Sequence, residues 1–466
     1  MKKETMSKEV VIIFDVGKTN KKILLFDRSL SILHEEETIF KEIPDDDGFS
    51  GDDIEKLEKW VFQACTRYMK DDRYVVRGIN FTTYGATLMY LDGDGNRLTP
   101  VYNYLKPMPE GIVEPLYEAH GGETEFCRNT ASPALGMLNS GLQALWLKEK
   151  KPEIFRKVKT ILHFPQYLSF LLTGKPSSEH TSIGCHTALW NFDKMAYHAW
   201  TEQLGATLPN PLSVETTYPL RKLGKVIPVG IGIHDSSSSL VPYFINSNEK
   251  FILVSTGTWC ISMNPFNSEP LTNEQLNRDC LAYMSIQQNP VKSSRLFIGR
   301  IHDVNVERLN EIFEVDSSAF KKVGLNESLL LTLNQKNQGK RVLFKEGVSE
   351  DFVDTSITKG QFKDFEEAYH QLVIDLVDLT VESIDLIIEK EDKTKNMYIT
   401  GGFSKNPIFV KLMAIRFPGK KVYTSEVTNA TSMGAALVLW KSIDADFSPT
   451  IDLGLSQCET DPSMAF

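Results

Sequence analysis

The sequence lacks the features that mark membrane, secreted and nucleic-acid-binding proteins. No apolar run approaches the about 18 residues that a membrane-spanning helix needs, and the charged N-terminus leads only into residues 10–14, too few for a secretory signal. The 51 Lys and Arg are outnumbered by 61 Asp and Glu, giving a net charge of −10, so no cationic excess marks a surface for nucleic acid or anionic lipid. We expect a cytoplasmic protein with no nucleic-acid and no membrane partner.

Cysteines are few and scattered. The six lie at positions 65, 127, 185, 260, 280 and 458, so they form no CxxC pair, zinc knuckle or dense disulfide framework. We therefore expect reduced thiols.

The chain is long and contains two similar segments. Its 466 residues exceed the about 100–200 of a typical domain. In residues 9–27 and again in residues 250–264, two apolar runs flank a polar loop with Gly and Thr, which predicts a hairpin in each segment. The repeat predicts an N-terminal domain over residues 1–244 and a C-terminal domain over residues 245–466, joined at the turn-rich stretch 242–249.

Elsewhere helical and strand patterns alternate, which predicts α/β domains. Helices are expected at residues 52–68, 365–388, 407–416 and 430–440, and strands at 76–82, 396–400 and 421–424. Residues 458–466 are expected to form an unstructured tail.

Both hairpin loops have the composition of a phosphate-binding turn. A Walker A loop is excluded at the first, because Ile12 stands where its first glycine is required and a strand pattern follows where it needs a helix. Instead, backbone N–H groups and hydroxyls of a tight turn can hold phosphate, and a neighbouring carboxylate can hold Mg²⁺ through water. The first loop supplies Asp15, Gly17, Lys18, Thr19 and Asn20, and the second supplies Gly257 and Thr258. An ordinary glycine hairpin is the alternative for either loop alone.

A candidate general base follows the strand pattern that begins at residue 229. The chain passes through Gly232 into His234, Asp235 and four serines that can open a helix. A carboxylate near a helix N-terminus is held ionised by the partial positive charge there and can accept a proton. The alternative is an Asp that only caps its helix. The position of Asp235, just before the predicted domain boundary, favours the catalytic interpretation.

A double glycine follows the strand predicted at residues 396–400. Gly401 and Gly402 allow a flat ligand such as adenine or ribose to approach the backbone, and a helix begins near Asn406. A strand-to-helix loop without a ligand is the alternative.

Together these segments resemble the FGGY carbohydrate kinases, of the actin, Hsp70 and sugar-kinase superfamily, over nearly the whole chain. The resemblance implies two actin-like (ribonuclease H-like) α/β domains, with sugar bound mainly by the first, ATP mainly by the second, and the cleft between them as the active site. It implies Asp235 as the catalytic base and Asp15 as the Mg²⁺ contact through water. The implied ATP-binding residues are Gly17, Lys18, Thr19, Asn20, Gly257, Thr258, Gly401, Gly402 and Asn406.

The implied substrate is a sugar with a primary hydroxyl. Thr83, Tyr84 and Gly85 are similar to the loop that meets the sugar, and His234 with Asp235 is most like the corner in kinases of L-rhamnulose and L-fuculose. Lys18 replaces a small residue, and residues 100–107 lack an Arg-Asp pair often found there. The alternatives are a kinase for another ketose or polyol, such as xylulose or ribulose, and a non-catalytic actin- or Hsp70-like nucleotide-binding protein. A homodimer is left open.

Overall fold

A computed structural model describes residues 7–459. The strands, in chain order, are β1 (Lys8–Val16), β2 (Asn20–Phe26), β3 (Ile32–Ile39), β4 (Ile43–Pro44), β5 (Ser50–Gly51), β6 (Tyr74–Thr83), β7 (Leu88–Leu91), β8 (Thr160–His163), β9 (Ser178–Glu179), β10 (Trp190–Asn191), β11 (Ala196–Tyr197), β12 (Pro211–Leu212), β13 (Thr217–Lys222), β14 (Lys225–Gly230), β15 (Ile233–His234), β16 (Phe251–Thr256), β17 (Cys260–Asn264), β18 (Cys280–Met284), β19 (Pro290–Leu296), β20 (Asn396–Gly401), β21 (Lys421–Thr424) and β22 (Ser456–Gln457).

The α-helices are α1 (Ile54–Lys70), α2 (Glu114–Ala119), α3 (Glu123–Asn129), α4 (Ser140–Lys150), α5 (Pro152–Phe155), α6 (Phe164–Thr173), α7 (His180–Ile183), α8 (Asp235–Ser239), α9 (Val241–Asn246), α10 (Asn273–Asn277), α11 (Ile298–Phe313), α12 (Glu327–Asn337), α13 (Phe365–Asp385), α14 (Pro407–Arg416) and α15 (Ala430–Ile443). Four 3₁₀ turns lie at Gly136–Leu138, Ala199–Leu204, Ala319–Lys322 and Gly402–Lys405.

The first of two seven-stranded sheets is built around β1. Its strand order is β13-β14-β6-β1-β2-β3, with β15 also paired to β6. β1 is antiparallel to β2 and parallel to β6. The run from Val10 to Phe14 is fully buried, because both faces of the sheet are covered, and this explains its continuous apolar sequence.

The second sheet repeats this arrangement around β16. Its order is β18-β19-β17-β16-β20-β21-β22, with β16 antiparallel to β17 and parallel to β20. Both predicted hairpins are therefore confirmed, as is the α/β fold class with two sheet-based domains. The helices expected at residues 52–68, 407–416 and 430–440 and all three expected strands are also present.

Helix α15 connects the two sheets. It lies between β21 and β22 of the second sheet in the chain but packs against β1 and β6 of the first sheet and against α8. A Cβ at Gly434 would lie 2.0 Å from the carbonyl oxygen of Ser238, so only glycine permits this approach. The close packing places the N-terminal turn of α15 beside the end of β1.

Three details differ from the sequence predictions. The stretch 242–249 is not all turn, because α9 extends to Asn246; Pro242 lies in its first turn, where a missing N–H costs nothing. Helix α13 ends at Asp385 rather than at residue 388. Cys458 and Glu459 follow a short strand, β22, and the backbone N–H of Cys458 bonds to the carbonyl of Val422, while the rest of the predicted tail lies outside the described residues.

All six cysteines are free thiols, as expected. Within residues 7–459, no helix has the length and apolar character needed to cross a membrane.

Candidate active site

The first hairpin turn places a carboxylate beside a closed loop of backbone. The N–H of Gly17 donates to the carbonyl of Asn20 at 2.9 Å, which closes the turn, and Thr19 and Asn20 lie exposed on it. Asp15 ends β1, and Ser432 Oγ of α15 donates to its Oδ2 at 2.5 Å. Burial raises the pKa of Asp15 to about 6 against this hydrogen bond, and the negative charge of Asp235 adds to the rise. The two carboxylates are therefore electrostatic neighbours in one cleft.

Lys18 is held by two carboxylates that lie outside this turn. Its Nζ lies 2.8 Å from Asp52 Oδ2 and 2.8 Å from Glu42 Oε1, and 5.9 Å from the ring centres of Tyr84 and Tyr104. A contact with phosphate would require it to leave two ion pairs. The predicted role of Lys18 in holding ATP stays a prediction.

The second turn opens onto a cavity of about 520 Å³. The N–H of Gly257 donates to the carbonyl of Trp259 at 2.9 Å, and Gly299 of α11 packs so closely that its Cβ would lie 2.5 Å from the Gly257 oxygen. Four of the residues predicted to bind nucleotide line this one cavity: Gly257, Thr258, Gly402 and Asn406. Aromatic side chains that include Phe320, Tyr369 and Phe403 complete its wall.

Gly401 shapes this cavity through its backbone, and Asn406 shapes it through its side-chain amide. Gly401 has a φ of 83°, and a Cβ there would lie 1.7 Å from the carbonyl oxygen of Thr256, so only glycine allows β20 to end here. Asn406 Oδ1 accepts from the N–H groups of Ile408 and Phe409 at 3.1 and 3.2 Å and caps α14, while its Nδ2 donates to Tyr369 at 3.0 Å. Its amide is thus used to fix the cavity wall.

Asp235 lies at a strand-to-helix corner, as predicted. β15 runs beside β6, with His234 opposite Thr83, and α8 begins at Asp235. His234 rather than Asp235 occupies the N-cap position, and no side chain makes a capping hydrogen bond there. Asp235 Oδ1 accepts from the N–H of Ser236 at 2.6 Å, and about 32% of its side chain is exposed to the cleft. Burial raises the pKa of Asp235 to about 6, so desolvation outweighs the helix N-terminus that was expected to favour the charged form.

His234 is held as a neutral buried ring. Its Nε2 lies 3.1 Å from Asp235 Oδ1 and 2.9 Å from Cys185 Sγ, and burial lowers its pKa to about 3. A Cβ at Gly85 would lie 2.5 Å from the same sulfur, so the loop after β6 needs glycine there. A neutral imidazole leaves the charge of Asp235 unbalanced at this corner.

The predicted sugar residues form a wall rather than an open pocket. Thr83, Tyr84, Gly85 and His234 line a cavity of about 10 Å³, which has room for roughly one water molecule and none for a sugar. His163 Nε2 faces the same region with no hydrogen-bond partner within residues 7–459, and Tyr84 donates its hydroxyl to Asp52 at 2.7 Å. This cavity as it stands cannot hold a sugar, and the predicted sugar contacts of these residues stay predictions.

Sequence reasoning missed residues that long-range packing brings here. Tyr104 lies with its ring centre 6.0 Å from Tyr84. Burial raises its pKa against the charge of Lys18, and the negative charges of Asp52 and Asp235 add to the rise, so it shares their cleft. The sequence drew attention to this segment only through an absence: residues 100–107 lack the Arg-Asp pair often found there.

The carboxylates of this cleft fit a bound magnesium ion. Asp15 and Asp235 carry raised pKa values because burial and, at Asp15, mutual repulsion disfavour their charge. Mg²⁺ prefers carboxylate and phosphate oxygens and keeps several of its waters. The cation would offset the repulsion that the protein leaves between these two groups.

Comparison with known proteins yields matches to both halves of the chain. Residues 10–213 match the model of the FGGY family of carbohydrate kinases, N-terminal domain, and residues 248–446 match carbohydrate kinase FGGY, C-terminal domain. Rhamnulokinase from Oceanobacillus iheyensis is 23% identical over 424 residues, covering 84% of each chain. Rhamnulokinase from Halalkalibacterium halodurans is 25% identical over 400 residues, covering 78% of each. The crystal structure of a carbohydrate kinase from Novosphingobium aromaticivorans superposes with a TM-score of 0.80 at 24% identity, covering 98% of this chain and 96% of that one.

Proposed function

The chain belongs to the FGGY family of carbohydrate kinases and is an ATP-dependent sugar kinase, and from this premise we propose that it phosphorylates a primary hydroxyl of a five- or six-carbon ketose. L-Rhamnulose and L-fuculose are the preferred candidates. The His234–Asp235 corner supports this choice, and so do the curated relatives that carry the name rhamnulokinase.

One observation carries the proposal: Asp15 and Asp235 lie at the same end of neighbouring parallel strands. Asp15 is opposite Thr82 of β6, and Asp235 directly follows His234, which is opposite Thr83 of the same strand. A proton acceptor and a contact for phosphate are thus close together. With a pKa of about 6, the carboxylate of Asp235 is mostly ionised at pH 7. It is thus suited to take the proton of a sugar hydroxyl as the hydroxyl oxygen attacks the γ-phosphorus and the bond to the β-phosphate oxygen breaks.

We assign ATP to the second domain, residues 245–466, and sugar to the first, residues 1–244. The cavity of about 520 Å³ is in the usual size range for a ligand of this kind. Backbone N–H groups of the two turns would hold phosphate oxygens, with Gly401 and Gly402 next to the adenosine. Phosphoryl transfer demands mainly positioning and electrostatic stabilisation, which such rigid turns supply.

Asp15 would hold hydrated Mg²⁺ in this arrangement. The bound ion supplies positive charge that neutralises the β- and γ-phosphate oxygens. The hydrogen bond from Ser432 fixes the Asp15 carboxylate for that contact. Movement of the two domains toward each other would exclude water, which otherwise competes with the sugar as acceptor.

A coupled ADP-release assay tests the proposal. The panel comprises L-rhamnulose, L-fuculose, L- and D-xylulose, D-ribulose, glycerol and gluconate. We expect the highest kcat/KM for L-rhamnulose or L-fuculose. A maximum for glycerol or gluconate would contradict the ketose assignment, and ATP binding without turnover of any sugar would favour the non-catalytic nucleotide-binding alternative.

A further inference from the structure

A guanidinium–carboxylate pair from the second domain lies beside the second phosphate turn. Arg295, near the end of β19, donates from Nε to Asp279 Oδ1 at 3.2 Å and makes a second, shorter bond to the same oxygen. The guanidinium carbon also lies 5.6 Å from the ring centre of Trp259. The side chains of Arg295 and Asp279 are about 15% and 39% exposed, so both keep surface for a ligand.

Trp259 is an unusually exposed aromatic residue at this place. It is 43% exposed, although it directly follows Gly257 and Thr258 in the turn. Its ring stacks on Phe297 with centres 4.4 Å apart, which holds the indole fixed. A rigid aromatic ring beside a charged pair is a surface that suits a polyhydroxylated ligand with an apolar face.

The same pair lies on the face of the second sheet that meets the first domain. Tyr283 of β18 is opposite Val291 of β19, and Asp279 and Arg295 are each four residues along the chain from that pair, so their side chains share its face. Tyr283 of β18 has its ring centre 5.6 Å from that of His234 and 6.3 Å from that of His186. Burial lowers the pKa of His186 to about 3, and the positive charge of Arg295 contributes to this lowering. Arg295 therefore lies on the side of the second sheet that contacts His234, next to Asp235.

His186 has an unused polar atom in this region. The residue is 9% exposed, and its Nδ1 has no hydrogen-bond partner in the part of the chain that the structure describes. Its backbone is also in the left-handed region, with a φ of 38°. A buried, unpartnered ring nitrogen is costly unless a ligand or water completes it.

We propose that Arg295 and Asp279, with the Trp259 ring beside them, form the second-domain wall of the sugar site and determine which sugar is bound. Arg295 donates hydrogen bonds to one sugar hydroxyl oxygen, Asp279 accepts one from a neighbouring hydroxyl, and the indole packs on the C–H face of the sugar. This inference rests on the proposed function, since it names the residues that distinguish one ketose from another. An unpaired group in such a site changes preference by about ten- to a hundredfold.

The test compares three variants by their effect on the two Michaelis constants. We expect Arg295→Met to raise KM for the ketose by about tenfold or more and to leave KM for ATP within about twofold, because only the sugar contact is lost. Arg295→Lys, which keeps the charge without the planar fork, should give a smaller rise. Arg278→Met is the matched control, since Arg278 adjoins Asp279 but pairs with Glu274 at 3.8 Å, and it should change neither constant.

Tryptophan fluorescence provides a readout that does not depend on turnover. Ketose added to the wild type without ATP should change the emission, and Trp259→Phe should remove that change. Weaker ketose binding by Arg295→Met in this titration, at unchanged melting temperature, supports direct recognition.

The outcomes separate the inference from the function on which it rests. If the wild type phosphorylates a ketose and Arg295→Met keeps its ketose KM, the inference is wrong and the proposed function remains. If kcat alone falls, Arg295 serves the phosphoryl group and the inference is likewise wrong. If the wild type uses no ketose but a polyol or an aldonate, the proposed function fails, and the same variants measured with that substrate decide the role of the wall.

Discussion

The two sides of the cleft, which we assign to nucleotide and to sugar, are built in opposite ways. The side assigned to nucleotide is a cavity of about 520 Å³ with an aromatic wall, next to turns where Gly401 and Gly299 cannot carry a side chain. The sugar side has a cavity of about 10 Å³ and a network of paired side chains around Asp52. Glycine turns suit ATP, which is the same in every reaction of this kind, whereas side chains can be exchanged to select among sugars.

The two sides also differ in what must move. Each Gly-Thr turn is closed by a backbone hydrogen bond, whereas a sugar at the proposed site would enter between the wall near Tyr84 and the second domain. We therefore expect ATP affinity to depend little on the sugar-side residues, and sugar affinity to depend on both domains.

The largest effect is expected from Asp235→Asn. The variant keeps the shape of the carboxylate but cannot accept a proton, so turnover should fall by about 10²-fold or more while ADP affinity measured by calorimetry stays unchanged. Its melting temperature should not fall, because the change removes a charge whose burial is unfavourable. Asp94→Asn, in an exposed loop, is the control. Near-normal turnover would remove Asp235 from the mechanism.

A smaller effect is expected from Asp15→Asn, which tests the proposed Mg²⁺ contact on the side assigned to nucleotide. Loss of the carboxylate should raise the Mg²⁺ concentration needed for half-maximal turnover and lower the rate by about tenfold or more. Ketose binding without ATP should change little. Ser432→Ala, which removes only the hydrogen bond to Asp15, should give a milder shift in the same direction. Collapse of ketose affinity with ADP affinity intact would reverse the domain assignment.

The smallest effect is expected from Lys18→Met, which decides to which side Lys18 belongs. The ion pairs with Asp52 and Glu42 tie it to the sugar wall, so ketose KM should rise roughly three- to tenfold and ATP KM should stay constant. Lys59→Met, which loses only an exposed ion pair with Glu55, is the comparison variant. A rise in ATP KM alone would instead support the contact between Lys18 and phosphate that the sequence predicts.

The hairpins on the proposed nucleotide side were predictable from the sequence, whereas the long-range contacts on the proposed sugar side were not. Gly17, Gly257 and Gly401 follow local strand patterns, and tight turns beside strands are encoded by neighbouring residues. Tyr104, Asp52 and Arg295 reach the cleft only through contacts between distant segments, which periodicity does not record. Pro242 was assigned to a turn, but proline is also common in the first turn of a helix, where it lies here.

The central claim is that Asp235 accepts the proton of the attacking hydroxyl, and the pH dependence of kcat/KM tests it most directly. At saturating Mg²⁺, which keeps Asp15 ionised, wild-type kcat/KM should fall about tenfold per pH unit below a pH of about 6, because a protonated Asp235 cannot act as base. The residual activity of Asp235→Asn should show no such decline. The same decline in both proteins would contradict the account, since another group would then be the base.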